Sequence, residues 1–496
     1  MQLQELGDLL YVSRITGDST VSFNGIATDS RKVAAGQLFI CLPGHTVDGH
    51  QYAPDAVAQG AAALVVEREL ELDVPQLIVP DARYAMAVIA NHYYQYPSRS
   101  VNVIGVTGTN GKTTTTYLIE KILEDHGARV GLMGTIRVKI GDVSYEAERT
   151  TLDAADLQHN LRKMADAGCT YCVMEVSSHA LEQGRVKGVR FRTAVFTNLT
   201  QDHLDYHQTM ENYREAKGLL FSRLGNSDAA DPADRRCAVL NADDPASAYF
   251  AGLTSAQLIT YGVDRTADVR ALDVKLSAQG VEFIMSTFAG EVPMRLNMLG
   301  KFNVYNALAA AAAALAEGVP LEHIKASLES IPGVEGRVEA VNEGQSFAVL
   351  VDYAHSPDGL QNVLSTVKEF AEKRIITVFG CGGDRDRTKR PIMGRIAAEY
   401  SDYVIVTSDN PRSEEPNAIL KDIEQGIAEY GYPKQRYELI EDRRQAIEKA
   451  IEMAGPEDVV LIAGKGHETY QIIQGVTHDF DDRVVAANAI RRITNR

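Results

Sequence analysis

Short apolar runs alternate with stretches of helical spacing along almost the whole chain: AALVVE, NVIGVTG, CVMEVSS, TAVFTNL, RIITVFG, DYVIVTS and DVVLIAG. Many are apolar at successive positions and end at Gly, Ser, Thr or Asn. Strands of that kind are covered on both faces. The pattern therefore predicts parallel sheets wrapped by helices, with ligands at the carboxyl ends of the strands. YPSRSV near residues 96–101 and IPGVEG near 331–336 interrupt the alternation with turn-forming residues. Three α/β domains are expected, over residues 1–98, 99–332 and 333–496. The longest apolar run, Ala307–Ala316, reads as a tightly packed helix and is well short of the roughly 18–20 residues that cross a bilayer.

The 496 residues suit the same division at about 150 residues per domain. The net charge of −17 argues against general affinity for nucleic acid or an anionic membrane, so any anionic ligand must be drawn by a local site. The start, MQLQELGDLLYVSRITG, lacks the basic end, apolar core and cleavage site of a signal peptide. Five cysteines, Cys41, Cys169, Cys172, Cys237 and Cys381, fit reduced thiols in a cytoplasm. Cys169 and Cys172 form a single CxxC that runs straight into YCVMEV, which reads as small core residues rather than a redox or zinc pair.

The segment VIGVTGTNGKTTTTYLIEKIL, residues 103–123, carries the strongest chemistry. A buried strand enters a loop with Gly108, Gly111, Lys112 and Thr113, and a helix follows. Glycines let backbone N–H groups converge on phosphate oxygens. The helix start adds a favourable dipole, Lys112 a mobile cation, and Thr113 a hydroxyl for magnesium. The strict GxxxxGK[ST] spacing is not met, because Val106 stands five before Gly111. Glu175 ends the strand-like YCVM and is well placed to hold magnesium, although a cap or salt bridge is an open alternative. TNLTQDHLDYH offers His203, Asp205 and His207, without the glutamate of an HExxH zinc site. Lys217, in ENYREAKGLLF, reads by itself as a solvated lysine on an amphipathic helix.

Taken in order, TGTNGKT, EVSSHAL, TNLTQDHLDYH and YREAK resemble the central domain of the Mur ligases. TDSRKVAAGQLFICLPGHTVDGH before them, and LGKFNVYN, GRVE, DYAHSPD, GCGGDRDRTKRPIMG, SDNPR and AGKGHE after them, resemble the same family, so the likeness spans the chain. It implies a central P-loop ATPase-type parallel sheet between a UDP-sugar-binding N-terminal domain and a Rossmann-like C-terminal domain. It also implies phosphate binding by Gly108, Thr109, Asn110, Gly111, Lys112, Thr113 and Thr114, and one magnesium on Thr113 and Glu175. His203 and Lys217 would help place a second magnesium, with Lys217 carbamylated; a free ammonium would repel the metal, whereas a carbamate offers an anionic oxygen. Asn303, Asn306, Arg337, Asp352 and His355 are implied on the ATP side, with Arg337 reaching the phosphates across the domain boundary. Ser30, Thr150, Thr151, Ser177, Gln183 and Arg185 are implied contacts of the UDP-sugar peptide. Leu152 departs from the family, where proline is common.

The resemblance is nearest to the branch that extends UDP-N-acetylmuramoyl-L-alanyl-D-glutamate. It implies that ATP phosphorylates the D-glutamyl γ-carboxylate and that an amine then displaces phosphate. Lys112, Lys217, His203 and Arg337 are the expected catalytic residues. The chain is expected to act as a cytoplasmic monomer. Asp409, Asn410, Pro411 and Arg412 follow a strand, where ligands bind in open sheets, and an arginine there suits the extra carboxylate of meso-2,6-diaminopimelate. DNPR also resembles the diaminopimelate-adding branch, and Arg385, Gly464 and Glu468 would complete that pocket. The alternatives are a lysine-adding relative, folylpolyglutamate synthetase, a P-loop switch and a non-catalytic nucleotide-binding module; for Arg412 itself the plain alternative is a turn residue paired to Glu414 or Glu415.

Overall fold

The computed structural model describes residues 1–44, 47–147, 149–226, 235–277 and 280–494, with the side chain of Asp205 outside that description, as are His45 and Thr46 of the GHTVDGH stretch. The chain divides into two compact units, Met1–Tyr261 with Ala312–Val319, and Gly262–Ala311 with Pro320–Arg496.

The first unit holds two sheets. In the smaller, the strands run in the order Arg14–Thr16, Gln76–Ile78, Ala63–Val66, Leu38–Ile40 and Ile26–Ala27, and all but the first pairing are parallel. In the larger, Gln257–Gly262, Cys237–Asn241, Phe191–Phe196, Asn102–Thr107, Tyr171–Glu175 and Val130–Met133 lie side by side and parallel. Arg137–Ile140 and Val143–Glu146 extend it antiparallel. The continuous apolar runs account for the parallel part. Val103, Met174 and Phe196 join one core cluster with Cys169 and Cys172. Burial pushes the Cys172 thiol well up from its ordinary value, so it packs as a small hydrophobe and not as a nucleophile.

The second unit contains an antiparallel meander, Val269–Ser277, Gly280–Thr287 and Gly290–Leu296. It also contains a six-stranded sheet in the order Glu339–Ala340, Ala348–Asp352, Val459–Ala463, Ile375–Phe379, Tyr403–Val406 and Tyr437–Leu439, parallel after the first pairing. Successive side chains of a strand point to opposite faces. Val459, Leu461 and Ala463 accordingly enter one core and Val460 and Ile462 the other. Both faces are covered, as a parallel sheet requires. The alanine run forms part of the helix Lys301–Ala316, and Ala307 and Ala309 through Ala314 are fully buried.

Candidate active site

In the first unit the strand Asn102–Thr107 delivers the phosphate loop. Gly108 has φ +151, and a Cβ there would lie 1.9 Å from Thr197 Oγ1, so only glycine fits. Gly111, at φ +83, starts the helix Lys112–Asp125. The loop is clamped by the TNLT segment that follows the neighbouring parallel strand. Thr109 N donates to the Asn198 carbonyl at 2.8 Å, Asn110 N to Asn198 Oδ1 at 2.9 Å, and Thr197 Oγ1 to the Asn110 carbonyl at 2.6 Å. Lys112 Nζ donates to the Gly108 and Thr109 carbonyls at 3.0 and 2.7 Å. Thr113 and Thr114 are buried at the helix start. The deviation from strict P-loop spacing therefore leaves a strand, glycine turn and helix N-terminus intact.

Glu175 closes the strand Tyr171–Glu175 and is 1% exposed. Its Oε1 accepts from Thr113 Oγ1 at 3.0 Å and from Thr135 N at 2.8 Å, and its Oε2 accepts from Thr135 Oγ1 at 3.1 Å. Hydroxyl and carboxylate oxygens at a phosphate loop are the hard donors that suit magnesium, which keeps the rest of its shell for water and phosphate. Lys217, on the helix Met210–Ser222, is 1% exposed, which corrects its reading as a solvated residue. Its Nζ donates to the Gly108 carbonyl at 2.7 Å and lies 4.3 Å from the Tyr213 ring centre. Burial first, and then the nearby Lys112, push this amine well below its ordinary value, with Asp202 acting the other way. As an amine Lys217 is a donor and does not fit a metal; as a carbamate it would. His203 is half-exposed, with left-handed backbone (φ +54) and Nε2 3.3 Å from Asp202. His207 is buried, its Nε2 2.9 Å from Ser178 Oγ.

Thr150, Thr151, Ser177, Gln183 and Arg185 form one continuous patch beside Glu175. Thr151 Oγ1 donates to the Glu175 carbonyl at 3.0 Å and accepts from Ser177 N at 3.1 Å. Thr150 and Thr135 hydroxyls are 3.2 Å apart. Arg185 donates to Gln183 Oε1 at 2.7 Å and to the Thr151 carbonyl at 3.0 Å, and pairs with Asp153 at 3.0 Å. Leu152 packs against the adjoining core, so the departure from proline leaves the paired threonines in place. Ser30 is buried in a short turn, Ser30–Lys32, beside the smaller sheet of the same unit. Sequence reasoning missed Thr135, whose only local signal is a Gly-Thr pair after a strand. It also missed the clamping role of Asn198, although the residue stood inside a motif.

The second unit carries the remaining predicted residues. Asp352 closes its strand, and its carboxylate accepts from Val338 N and Ala354 N at 2.8 Å each. Burial pushes its pKa up, and Arg337 opposes that shift. The Arg337 guanidinium lies 5.2 Å from the Tyr353 ring centre, and the same ring meets His355 at 4.6 Å and His467 at 4.8 Å. Asn303 and Asn306 are buried in the helix Lys301–Ala316. Asn303 donates to the Leu299 carbonyl at 2.9 Å, and Asn306 to Asn303 Oδ1 at 3.0 Å.

Asp409, Asn410, Pro411 and Arg412 follow the strand Tyr403–Val406. Asn410 Nδ2 donates to Glu468 Oε2 at 2.9 Å, joining two segments distant in sequence. Gly464, at φ +120, passes so close to Asp409 that a Cβ would lie 2.7 Å from Oδ2. Arg412 also has left-handed backbone (φ +53), and its guanidinium donates to the Gly383 carbonyl at 2.7 Å. Glu414 pairs with Arg387 and Arg390 instead, and Glu415 caps the helix Pro416–Glu429. The simple turn salt bridge is thus not how Arg412 is held. Arg385 is exposed and donates to the Asp384 carbonyl at 3.0 Å.

Three family models match consecutive parts of the chain. These are the Mur ligase family catalytic domain over residues 22–95, the Mur ligase middle domain over 106–314, and the glutamate ligase domain of Mur ligases over 336–466. The UDP-N-acetylmuramoyl-L-alanyl-D-glutamate--2,6-diaminopimelate ligase of Halalkalibacterium halodurans is 52% identical over 99% of each chain. The enzyme of that name from Geobacillus kaustophilus is 53% identical over 93% of this chain and 94% of its own. A solved structure under that ligase name is 36% identical, with a TM-score of 0.71 over 100% of this chain and 99% of the other. A phosphate loop clamped by its neighbouring strand, a buried lysine against its first glycine and this full-length likeness together show that the chain belongs to the Mur ligase family of ATP-dependent amide-bond-forming enzymes.

Proposed function

We propose that this chain adds meso-2,6-diaminopimelate to the D-glutamyl γ-carboxylate of UDP-N-acetylmuramoyl-L-alanyl-D-glutamate, at the expense of ATP, in the cytoplasm. The observation that carries the choice of amino acid is Arg412. It stands beyond the carboxyl end of a parallel strand, with its guanidinium donating to a backbone carbonyl and in no ion pair among the described residues. An arginine so placed retains donors for a ligand carboxylate. The names of the relatives agree with this reading.

In this proposal residues 1–98 hold the UDP sugar through Ser30, 99–332 hold ATP and the peptide, and 333–496 hold the incoming amino acid. The γ-carboxylate attacks the terminal phosphorus of ATP, and ADP leaves. The amine then attacks the acyl carbon, the tetrahedral intermediate collapses, and phosphate leaves. Lys112 exchanges its loop carbonyls for phosphate oxygens and stabilises the charge that builds on them. Thr151, Ser177, Gln183 and Arg185 orient the peptide, because each is already fixed by a neighbour. Arg337, His355, Asp352, Asn303 and Asn306 serve the nucleotide. As a carbamate, formed when its neutral amine adds carbon dioxide and gives up a proton to solvent, Lys217 would hold magnesium together with Thr113, Glu175 and His203. Magnesium, when bound, neutralises phosphate charge.

Phosphate release by the purified protein, measured with candidate amino acids, tests the proposal. Release is expected only with ATP, the UDP-dipeptide and meso-diaminopimelate together. Equal release with L-lysine overturns the assignment of the third residue.

A further inference from the structure

Lys465 lies between two left-handed glycines in AGKGHE, at the carboxyl end of the strand Val459–Ala463. Neither glycine tolerates a side chain: a Cβ on Gly464 would lie 2.7 Å from Asp409 Oδ2, and one on Gly466 2.7 Å from Tyr353 Cβ. The lysine between them is turned inward, and its side chain is completely buried. There Nζ donates to Glu468 Oε2 at 2.8 Å and to Asn410 Oδ1 at 3.2 Å. Asn410 Oδ1 also accepts from Ile472 N at 2.9 Å, and Asn410 Nδ2 donates to the same Glu468 oxygen at 2.9 Å. Two consequences follow. The Asn410 amide is locked in one orientation, with its oxygen inward. Both donors converge on Oε2 of Glu468, a side chain 16% exposed, so Oε1 is the oxygen that remains for a ligand.

From this geometry we infer that Lys465 is a specificity-determining positioning residue, which neutralises Glu468 and so turns the pocket against amino acids whose far end is a bare ammonium. The inference rests on the proposal that Asn410, Arg412 and Glu468 receive the amino acid. Lys465 offsets Glu468 at Oε2, while Arg412, with Asp384 in its surroundings and Asp409 beside Gly464, is in no ion pair among the described residues. A zwitterionic far end, as in meso-diaminopimelate, supplies a carboxylate for Arg412 and an ammonium for Oε1 of Glu468. A lone ammonium, as in L-lysine, meets a Glu468 already paired with Lys465 and offers Arg412 no partner. Without Lys465, Glu468 becomes an uncompensated acid that favours the lone ammonium. Discrimination of this kind works by penalising the wrong ligand as well as holding the right one.

The test uses the full-length enzyme and the variant Lys465→Met, with kcat/KM measured for meso-diaminopimelate and for L-lysine. The ratio between them should fall by roughly tenfold or more, the scale for loss of a partner that orients a binding group. The fall should come through KM for the amino acid, with KM for ATP unchanged. A purely structural lysine would lower both kcat/KM values by the same factor, and that result overturns the inference. Lys465→Arg keeps the cation in a side chain of different shape and should keep the ratio nearer wild type than Lys465→Met does; loss of the ratio in a folded Arg variant also overturns the inference, and this arm decides the matter if the Met variant does not fold. A wild-type enzyme that ignores meso-diaminopimelate would instead defeat the proposed function, a separate outcome.

Discussion

Lys217 Nζ donates to the Gly108 carbonyl at 2.7 Å, so a fully buried lysine from one helix touches the first glycine of the phosphate loop. Burying an ammonium is costly unless it is paired. Lys217 meets the Gly108 carbonyl and the face of the Tyr213 ring, with Lys112 nearby as a like charge and Asp202 acting the other way.

Lys217→Ala should lose ligation, by roughly a hundredfold or more, and a short carboxylic acid added to the assay should restore part of it. Phosphate release with and without the acid checks this. An active, unrescued alanine variant would show that no carbamate is needed.

The same burial makes a stability prediction. The folded-state pKa of Lys217 lies below its unfolded value, so the unfolded chain binds more protons between the two, and stability rises with pH through that window. In carbon dioxide-free buffer Lys217→Met should therefore be more stable than the wild type near pH 7, by on the order of 1 kcal/mol. The gap should close as pH approaches the unfolded lysine value. The Gly108 carbonyl keeps its bond from Lys112 in the variant. Thermal melts at several pH values measure the gap, and a gap that widens with pH contradicts the sign.

Lys112→Ala should abolish ATP-dependent phosphate release and leave UDP-peptide binding near normal, since Lys112 contacts the loop carbonyls and the proposed peptide patch is held by other residues. Calorimetric titration with the UDP-dipeptide separates the two effects.

Gly108→Ala combines a left-side backbone angle (φ +151) with a Cβ 1.9 Å from Thr197 Oγ1. The loop and its TNLT clamp must separate. Nucleotide affinity should fall at least tenfold, with a stability loss of about 2 kcal/mol. Nucleotide titration and thermal melting read the two losses. Wild-type affinity would show that the clamp is not needed.

Arg412→Ala should erase most of the preference for meso-diaminopimelate over L-lysine. A site built around a polar partner can discriminate by roughly 10⁴-fold, so the wild-type ratio should be large and the variant ratio small. Competition between the two amino acids in one phosphate-release assay gives both ratios. A variant that still strongly prefers diaminopimelate would place recognition elsewhere.

The parallel sheets, the phosphate loop and the DNPR turn were legible in the sequence because each is local. A short run rich in β-branched residues such as VVLIA, ended by glycine, reads as a strand covered on both faces, and GTNGKT places glycines, cation and hydroxyl within a few residues of a helix start. Family likeness extended that reading to residues with no local signal, such as Thr150 and Arg185. The tertiary structure alone decided what depends on residues far apart in the chain. Lys217 reads as a surface residue from its own helix, yet it is buried, with the carbonyl of Gly108, 109 residues away, accepting its hydrogen bond. Thr135 has no motif, and it reaches Glu175 from the bend after Val130–Met133, a strand that lies parallel beside Tyr171–Glu175. Asn410, Lys465 and Glu468 form one hydrogen-bonded set across 55 and 58 residues of sequence. Burial and long-range hydrogen bonding are properties of strand order, and spacing along the chain does not encode which strand ends will meet.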